Sequence, residues 1–189
     1  MNTDKQPYSL AQRQAMLQVA RTAIEYRLAA RTEIIDETLY APELLEKKAS
    51  FVTLNIGDAL RGCIGSLVAR RPLLVDIFHN AQAAAFKDPR FRPLSVQEFQ
   101  QINIHISVLT EAQAYPVSSR QEALDKIQPG IDGLILRENG KSATFLPSVW
   151  QKLPDRENFI RELRRKAGLE PQGWSENTQL FYYHSIEFS

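Results

Sequence analysis

The sequence predicts an α+β fold in which a mostly antiparallel sheet is flanked by helices. Two turn signals, Gly57-Asp58 and Asn139-Gly140, each lie between runs rich in β-branched and apolar residues, as expected of β-hairpins. Helix-capping patterns lie between these runs. No glycine-rich phosphate loop precedes a helix, and strands do not alternate regularly with helices, which argues against a parallel α/β sheet.

The predicted helices begin at recognisable caps. Ser9 and Gln12 form a capping box. Leu17 and Ile24 then follow at helical spacing, which predicts a helix over residues 10–29. Further helices are expected from Pro72 to Ala85, from the cap Ser95 to Gln101, from the cap Ser119 to Ile127 and from the cap Asp155 to Ala167.

The clearest predicted strand covers residues 102–108, where isoleucine and valine alternate with polar residues. Its apolar face is expected to lie in the core. The loop before it contains Pro89 and Pro93, so it should be rigid and non-helical. Other strands are expected over residues 50–56, 60–68, 134–137, 142–146 and 180–188.

Composition narrows the class of protein. The chain has 189 residues, with 23 Lys and Arg against 22 Asp and Glu, so its formal net charge is +1. This balance does not favour a nucleic-acid partner. No apolar stretch approaches the ~20 residues of a membrane span, and the N-terminus lacks a signal-peptide pattern. We therefore expect a cytoplasmic protein without a membrane partner, with residues 1–8 flexible.

The single cysteine, Cys63, excludes an intramolecular disulfide and a zinc site built from cysteines. The three histidines show no metal-ligand spacing relative to it, so no metal is expected. His79 is expected at the surface, and His184 has no evident partner. No motif for a bound cofactor is present.

Residues 60–65, Leu-Arg-Gly-Cys-Ile-Gly, carry the strongest indication of a site. Side chains alternate between the two faces of a strand, so Arg61 and Cys63 are expected on the same face. Two glycines weaken a strand, which suggests that a helix, another strand or a ligand approaches the backbone closely. The candidate binding residues of this strand are Gly62, Ile64 and Gly65.

Two interpretations of Cys63 remain open. A guanidinium beside a thiol favours the thiolate, which would make Cys63 and Arg61 the candidate catalytic residues. The alternative is that Cys63 is a small buried apolar residue, as most free cysteines are.

Three further residues are candidates for the same site. Asp88 and Arg90 on the two-proline loop would clamp an anion or carbonyl beside Cys63, or would form an ion pair that only makes the loop rigid. His105 would be a general base for Cys63 if their strands are neighbours. Otherwise it is a half-exposed strand histidine. The basic residues of segment 161–166 are expected at the C-terminal end of a helix, where positive charges are stabilising.

Longer motifs resemble those of the AMMECR domain family. The resemblance extends over residues 10–188 in order and spacing. Its most specific parts are Arg-Gly-Cys-Ile-Gly at 61–65 and Asp-Pro-Arg-Phe-Arg-Pro at 88–93. Further matching segments are 51–54, 106–109, 133–136, 145–147 and 166–169.

The resemblance implies a single AMMECR-type domain over residues 1–189. It implies a larger lobe around an antiparallel sheet, a smaller lobe beside it, and the cysteine motif near the cleft between them. The activity of the family is not established. Prokaryotic members are grouped with a MEMO-like protein and a radical SAM protein, as protein A of the AmmeMemoRadiSam system. Those two proteins are therefore the expected partners.

Two positions depart from the family pattern. His105 stands where an acidic residue is expected, and residues 148–150, Ser-Val-Trp, stand where Gln-Val and a variable residue are expected. Three functions stay open. The protein is an enzyme or modification partner that uses Cys63 on an unknown small-molecule or protein substrate, a non-catalytic protein-binding module, or, least favoured, a nucleic-acid-associated protein.

Overall fold

The computed structural model describes residues 7–31 and 35–189. The chain divides into two compact units. The first extends to Leu109 and includes Ile186–Ser189, and the second is Thr110–Ser185. The helices are α1 (Leu10–Leu28), α2 (Leu73–Phe86), α3 (Val96–Phe99), α4 (Arg120–Lys126) and α5 (Arg156–Lys166). The strands are β1 (Ala49–Ile56), β2 (Ala59–Gly65), β3 (Ile102–Leu109), β4 (Gln113–Tyr115), β5 (Gly133–Glu138), β6 (Lys141–Phe145), β7 (Gln179–Tyr183) and β8 (Ser185–Phe188).

The predicted α+β class with a mostly antiparallel sheet is confirmed. The first unit contains a four-stranded sheet in the order β2-β1-β3-β8. β1 pairs antiparallel with both β2 and β3. α1 and α2 pack on each other and on this sheet. Alternate residues of the central strands are buried beneath the helices, and these include Val52, Leu54, Ile104 and Ile106.

The capping patterns predict the helix starts well. Ser9 accepts a hydrogen bond from the backbone N–H of Gln12, and the Gln12 side chain accepts one from the N–H of Ser9. Ser95 and Glu98 form the same reciprocal pair at α3. One residue differs from the prediction: Pro72 precedes α2 as its cap and does not occupy its first turn.

The second unit has its own sheet, in the order β4-β7-β5-β6. The β5–β6 hairpin turns at Asn139 and Gly140, which both have positive φ, as a type I′ turn requires. Trp150 and Phe159 stack in the second core with ring centroids 3.7 Å apart.

The single final strand predicted over residues 180–188 is wrong. The chain forms β7 in the second sheet and β8 in the first, with a break at His184. At the break, the carbonyl of His184 accepts from the N–H of Thr110, and the His184 N–H donates to the Thr110 hydroxyl. These bonds interrupt the strand pairing of β7. The alternation of apolar and polar residues continues through the break, so it does not show that the strand pairs with a different sheet on each side.

The short strand β4 was not predicted from the sequence. The expectation that residues 1–8 are flexible lies mostly outside the described residues, but Tyr8 is described and is buried against the first core. No helix in the described ranges has the length and apolarity needed to cross a bilayer.

Candidate functional site

The cysteine motif lies within the first unit on β2, an edge strand. The β1–β2 register shifts, so that Asn55 pairs with Leu60 whereas Leu54 pairs with Gly62. Arg61 is therefore the extra residue of a β-bulge. The predicted strict alternation is wrong at Leu60, because the bulge places Leu60 and Gly62 on opposite faces of the sheet.

Both glycines of the motif are explained by close packing. A Cβ on Gly62 would overlap the backbone carbonyl of Ala84 in α2, so a helix is the close neighbour at this position. A Cβ on Gly65 would overlap the ring of Phe51 on β1. Ile64 packs against the first core. These three residues therefore shape the strand and let it pack against the rest of the unit.

The Arg61 guanidinium is held by the protein itself. Its Nε donates to Glu98 Oε1 at 2.8 Å, and its Nη2 donates to Glu98 Oε2 at 3.0 Å. Nη2 also donates to the carbonyl of Arg92 at 2.8 Å, and the guanidinium lies 5.7 Å from the centre of the Phe91 ring. The hydrogen bonds from Arg61, and after them those with Ser95, lower the pKa of Glu98 to about 2. Arg61 thus fastens the two-proline loop and α3 to β2.

Asp88 and Arg90 meet the main chain of Cys63. The Cys63 N–H donates to Asp88 Oδ2 at 2.9 Å, and Arg90 Nη2 donates to the Cys63 carbonyl at 3.4 Å. The two side chains also pair with each other, with Nη2 2.6 Å from Oδ2 and Nε 2.9 Å from Oδ1. This pair holds the pKa of Asp88 well below its usual range and raises the pKa of Arg90. The loop therefore provides hydrogen-bond partners for the backbone N–H and carbonyl of Cys63, at the edge of β2 where a further strand would otherwise pair.

The Cys63 side chain is half-buried, on the face of β2 opposite the core residues. Its sulfur accepts a hydrogen bond from Thr53 Oγ1 at 3.2 Å. Arg90 contacts the backbone of the same residue, because its Nη2 donates to the Cys63 carbonyl. The hydrogen-bond partner of the sulfur is therefore Thr53, whereas Arg61 is engaged by Glu98.

Sequence reasoning missed Thr53. A regular ladder from the Gly57-Asp58 turn would place Thr53 opposite Gly62. The bulge at Arg61 advances the register by one residue, so Thr53 is instead opposite Cys63. No feature of the sequence indicates this bulge.

His105 does not lie on a strand next to that of Cys63. β1 lies between β2 and β3, and Thr53 is the register partner of both Cys63 and His105. Two strand spacings separate the backbones of Cys63 and His105 by roughly 9–10 Å. The condition for a direct general base, neighbouring strands, is not met. An acidic residue is expected at position 105 from the family pattern. Here the His105 Nε2 lies 3.4 Å from Glu187 Oε2, so a carboxylate of another residue lies next to this position.

The other two histidines lie away from the motif. His184 has a partner after all, because its Nε2 lies 3.2 Å from Oδ1 of the buried Asp132. These residues are 52 positions apart, so the sequence does not reveal the pair. His79 is exposed on α2, as predicted, and partial desolvation, and then the nearby Arg71, lower its pKa.

The basic segment of α5 is engaged in internal contacts. Arg164 is buried and pairs with Glu138 at 2.8 Å. Arg165 pairs with Glu162, and Lys166 donates to the carbonyl of Thr144. Arg164 is therefore not available to a nucleic-acid backbone, whereas the Arg165 side chain is 61% exposed.

A buried polar cluster at the end of β2 was not foreseen. Asp76 Oδ2 accepts hydrogen bonds from the N–H and hydroxyl of Ser50, the hydroxyl of Ser66 and the amide of Asn80. Arg71 donates to Oδ1. The only sequence feature that could have predicted this cluster is the pair of polar residues Asp76 and Asn80, which are four positions apart on the apolar face of α2. In the described part of the chain, no group of three or more His, Cys, Asp or Glu is placed to hold a metal ion.

Comparisons with known proteins place these features in a family. "Protein LS215_2104" of Saccharolobus islandicus (strain L.S.2.15 / Lassen #1) is 37% identical over 182 residues, which cover 92% of this chain and 79% of that protein. "Protein PF1979" of Pyrococcus furiosus is 36% identical over 179 residues, which cover 89% of this chain and 83% of that protein.

A solved structure is also similar. The crystal structure of the uncharacterized protein PH0010 from Pyrococcus horikoshii superposes with a TM-score of 0.84 at 35% identity, covering 92% of this chain and 88% of that one. The AMMECR1 family model matches residues 17–188. The chain therefore belongs to the AMMECR1 family.

Proposed function

We propose that this AMMECR1-family protein acts in a cytoplasmic modification pathway with a MEMO-like protein and a radical SAM protein, to which it contributes the Cys63 thiol as a nucleophile. The partners are proposed from the resemblance to prokaryotic members of the family. The substrate is a small molecule or a protein with an electrophilic carbon that bears a leaving group: the sulfur bonds to this carbon as the leaving group departs, and the thiol proton passes to water. The observation that carries the proposal is the hydrogen bond from Thr53 to a half-buried sulfur.

Two neighbours of the sulfur support a nucleophilic role. A hydroxyl that donates to sulfur stabilises the thiolate more than the thiol. The Arg90 guanidinium is held at the Cys63 carbonyl by its ion pair with Asp88. A partly exposed sulfur near a cation and a hydrogen-bond donor is the kind of environment in which nucleophilic cysteines occur.

One N–H group of Arg61 supports the binding of a polar group at the cysteine motif. Its Nη1 is buried and has no hydrogen-bond partner among the described residues. An unsatisfied buried donor costs about 1–3 kcal/mol. A carbonyl or carboxylate oxygen from a substrate would satisfy this N–H group, while Glu98 and Arg92 continue to hold the rest of the guanidinium.

The thiol proposal is tested by alkylation kinetics with iodoacetamide at pH 7. The chain has one cysteine, so the rate reports Cys63 alone. Thr53→Val removes the hydroxyl while it keeps the β-branched shape. Losing one hydrogen bond of about 1 kcal/mol to the thiolate lowers the rate by about fivefold.

The matched control is Thr22→Val, which removes a hydroxyl from α1 that contacts Gln18. It should leave the rate unchanged. If Thr53→Val also reacts at the wild-type rate, the hydrogen bond does not activate the sulfur and the nucleophile proposal fails.

A second candidate function is a docking module without catalysis. Three large apolar side chains on β2 and the loop after it are exposed: Leu60 at 40%, Leu67 at 39% and Val68 at 53%. Leu67 and Val68 are adjacent in the loop, whereas Leu60 lies at the opposite end of β2. Exposed apolar side chains that are adjacent are a feature of protein-binding surfaces. This surface would take one of the two proposed partner proteins.

Pull-down with the purified MEMO-like and radical SAM proteins separates the two functions. Cys63→Ala removes the sulfur, and Arg61→Ala removes the guanidinium. If binding persists in both variants and Cys63→Ala abolishes modification, Cys63 acts chemically. If the folded variants lose binding, the motif is the interface. If neither protein binds the wild type, the partnership is contradicted. Retention on DNA or RNA would favour the nucleic-acid alternative.

A further inference from the structure

An open depression lies beyond the end of β2, on the loop that leads to α2. It has a volume of about 510 Å³ and is lined by Ser66, Leu67, Val68, Arg70, Arg71 and Asp76. The loop enters it directly from the cysteine motif, but its polar groups are different from those around the thiol. We call it the Arg70–Arg71 depression.

Asp76 forms the floor of the depression and has no capacity left for a ligand. It is 1% exposed, and its Oδ2 already accepts four hydrogen bonds from Ser50, Ser66 and Asn80. Its Oδ1 accepts from Nε and Nη2 of Arg71, at 3.3 and 3.0 Å. The buried carboxylate therefore serves to orient the Arg71 guanidinium.

The Arg71 guanidinium is oriented by Asp76, but only part of it is engaged in this contact. Its side chain is 41% exposed, and the pair with Asp76 occupies Nε and Nη2, which leaves the N–H groups of Nη1 free of this contact. An oriented guanidinium loses little side-chain entropy when it binds a planar or tetrahedral anion. Such pre-organisation is the feature that separates a binding arginine from an ordinary surface arginine.

Arg70 supplies the charge that Asp76 does not neutralise. It is exposed, and it forms no ion pair with any part of the chain that the structure describes. With one carboxylate against two guanidinium groups, the depression carries a net positive charge. Leu67 and Val68 offer an apolar wall beside these groups.

We propose that the Arg70–Arg71 depression binds an oxyanion, the phosphate or carboxylate group of a small molecule or of a modified protein. Two guanidinium groups, one of them fixed by a buried carboxylate, match the charge and geometry of such a group. The inference does not depend on the reactivity of Cys63, because none of its groups contacts the sulfur.

The test is a titration with inorganic phosphate at constant ionic strength, with chloride as the reference, followed by the backbone amide NMR signals of residues 66–71. The proposal predicts saturable shifts confined to this segment. Arg70→Gln should weaken the apparent affinity by about fivefold, as expected for one partly exposed charge contact. A parallel titration with acetate distinguishes a carboxylate ligand from a phosphate ligand.

Arg156→Gln is the control, because it removes an exposed arginine from the second unit. It should leave phosphate binding unchanged. Arg71→Lys keeps the charge and the contact with Asp76 but loses the fork geometry, so it should also weaken binding without unfolding the protein. Shifts that do not saturate, or an Arg70→Gln variant that binds like the wild type, would overturn the proposal.

Discussion

Arg61 and Cys63 are two residues apart in one motif, but their surroundings differ. The Arg61 guanidinium is buried and held by Glu98 and the Arg92 carbonyl. The Cys63 sulfur is half-buried and meets only the Thr53 hydroxyl within hydrogen-bond distance among the described residues. The motif thus has one part that supports the local structure and one that is available for chemistry. Substitutions in the first part should change stability, and those in the second should change reactivity.

The largest effect is expected at Gly62. Gly62→Ala would press a methyl group against the carbonyl of Ala84, which belongs to a helix backbone and cannot yield easily. We expect a loss of about 3 kcal/mol in the free energy of unfolding, measured with urea.

Gly57→Ala is the matched control for this prediction. Its Cβ would meet nothing within 4 Å, and its φ of +55° costs only about 1 kcal/mol. Equal losses in the two variants would show that α2 does not pack closely on β2.

The next effect concerns the edge of β2. Asp88→Asn replaces a carboxylate oxygen that accepts hydrogen bonds with an NH₂ group that faces donors from Cys63 and Arg90. We expect a loss of about 2 kcal/mol and faster hydrogen exchange of the Cys63 amide. Asp125→Asn, at an exposed position of α4, should change neither, and unaltered exchange in Asp88→Asn would contradict the edge contact.

A smaller loss is expected when the Arg61 pair is broken. Glu98→Gln removes the charge that Arg61 binds, but about a third of the Glu98 side chain is accessible to water, at 35%. We therefore expect a loss of only about 1 kcal/mol at pH 7. Glu43→Gln, on an exposed turn, should cost nothing measurable.

The same pair gives a pH dependence with a definite sign. The folded-state pKa of Glu98 is lowered from 4.5 to about 2, so the folded state binds its proton less readily than the unfolded chain. Its stabilising contribution is complete above pH 4.5 and is lost as the pH falls towards 2. Urea unfolding at several pH values should show a shallower decline in Glu98→Gln, and an unchanged slope would refute this linkage.

The smallest effect is expected at His105. Because β1 separates its strand from that of Cys63, His105→Gln should leave the alkylation rate of the thiol unchanged at pH 7. Its contact is with Glu187, so a small change in stability is the expected consequence. A marked fall in the alkylation rate would mean that His105 affects the thiol through Thr53.

Much of the local structure could be predicted from the sequence. Caps such as Ser9 and turns such as Asn139-Gly140 are set by hydrogen bonds and φ values within a few residues. Strand order is not local, so the position of β1 between β2 and β3 could not be foreseen. The bulge at Arg61 and the change of sheet at His184 also depend on contacts with distant residues.

The candidate site follows the same division. The motif residues and the two-proline loop could be singled out from the sequence, and the structure brings Asp88 and Arg90 to the backbone of Cys63. The partner of Arg61 could not be foreseen, because Glu98 also belongs to a capping box that fully accounts for it locally. The contact of Thr53 with Cys63 could not be predicted because it depends on the bulge. The role of Asp76 could not be predicted because this residue lies among the apolar residues of α2.

The central claim is that the Cys63 sulfur is accessible and activated in the folded protein. The most direct measurement compares the rate of its reaction with iodoacetamide at pH 7 in the native protein and in the same protein unfolded in urea. We predict that the native thiol reacts at least as fast as the unfolded one, because the sulfur is partly exposed and the Thr53 hydroxyl donates a hydrogen bond to it. A native rate slower by about 100-fold or more would mean that the cysteine is an inert buried residue, and it would contradict the claim.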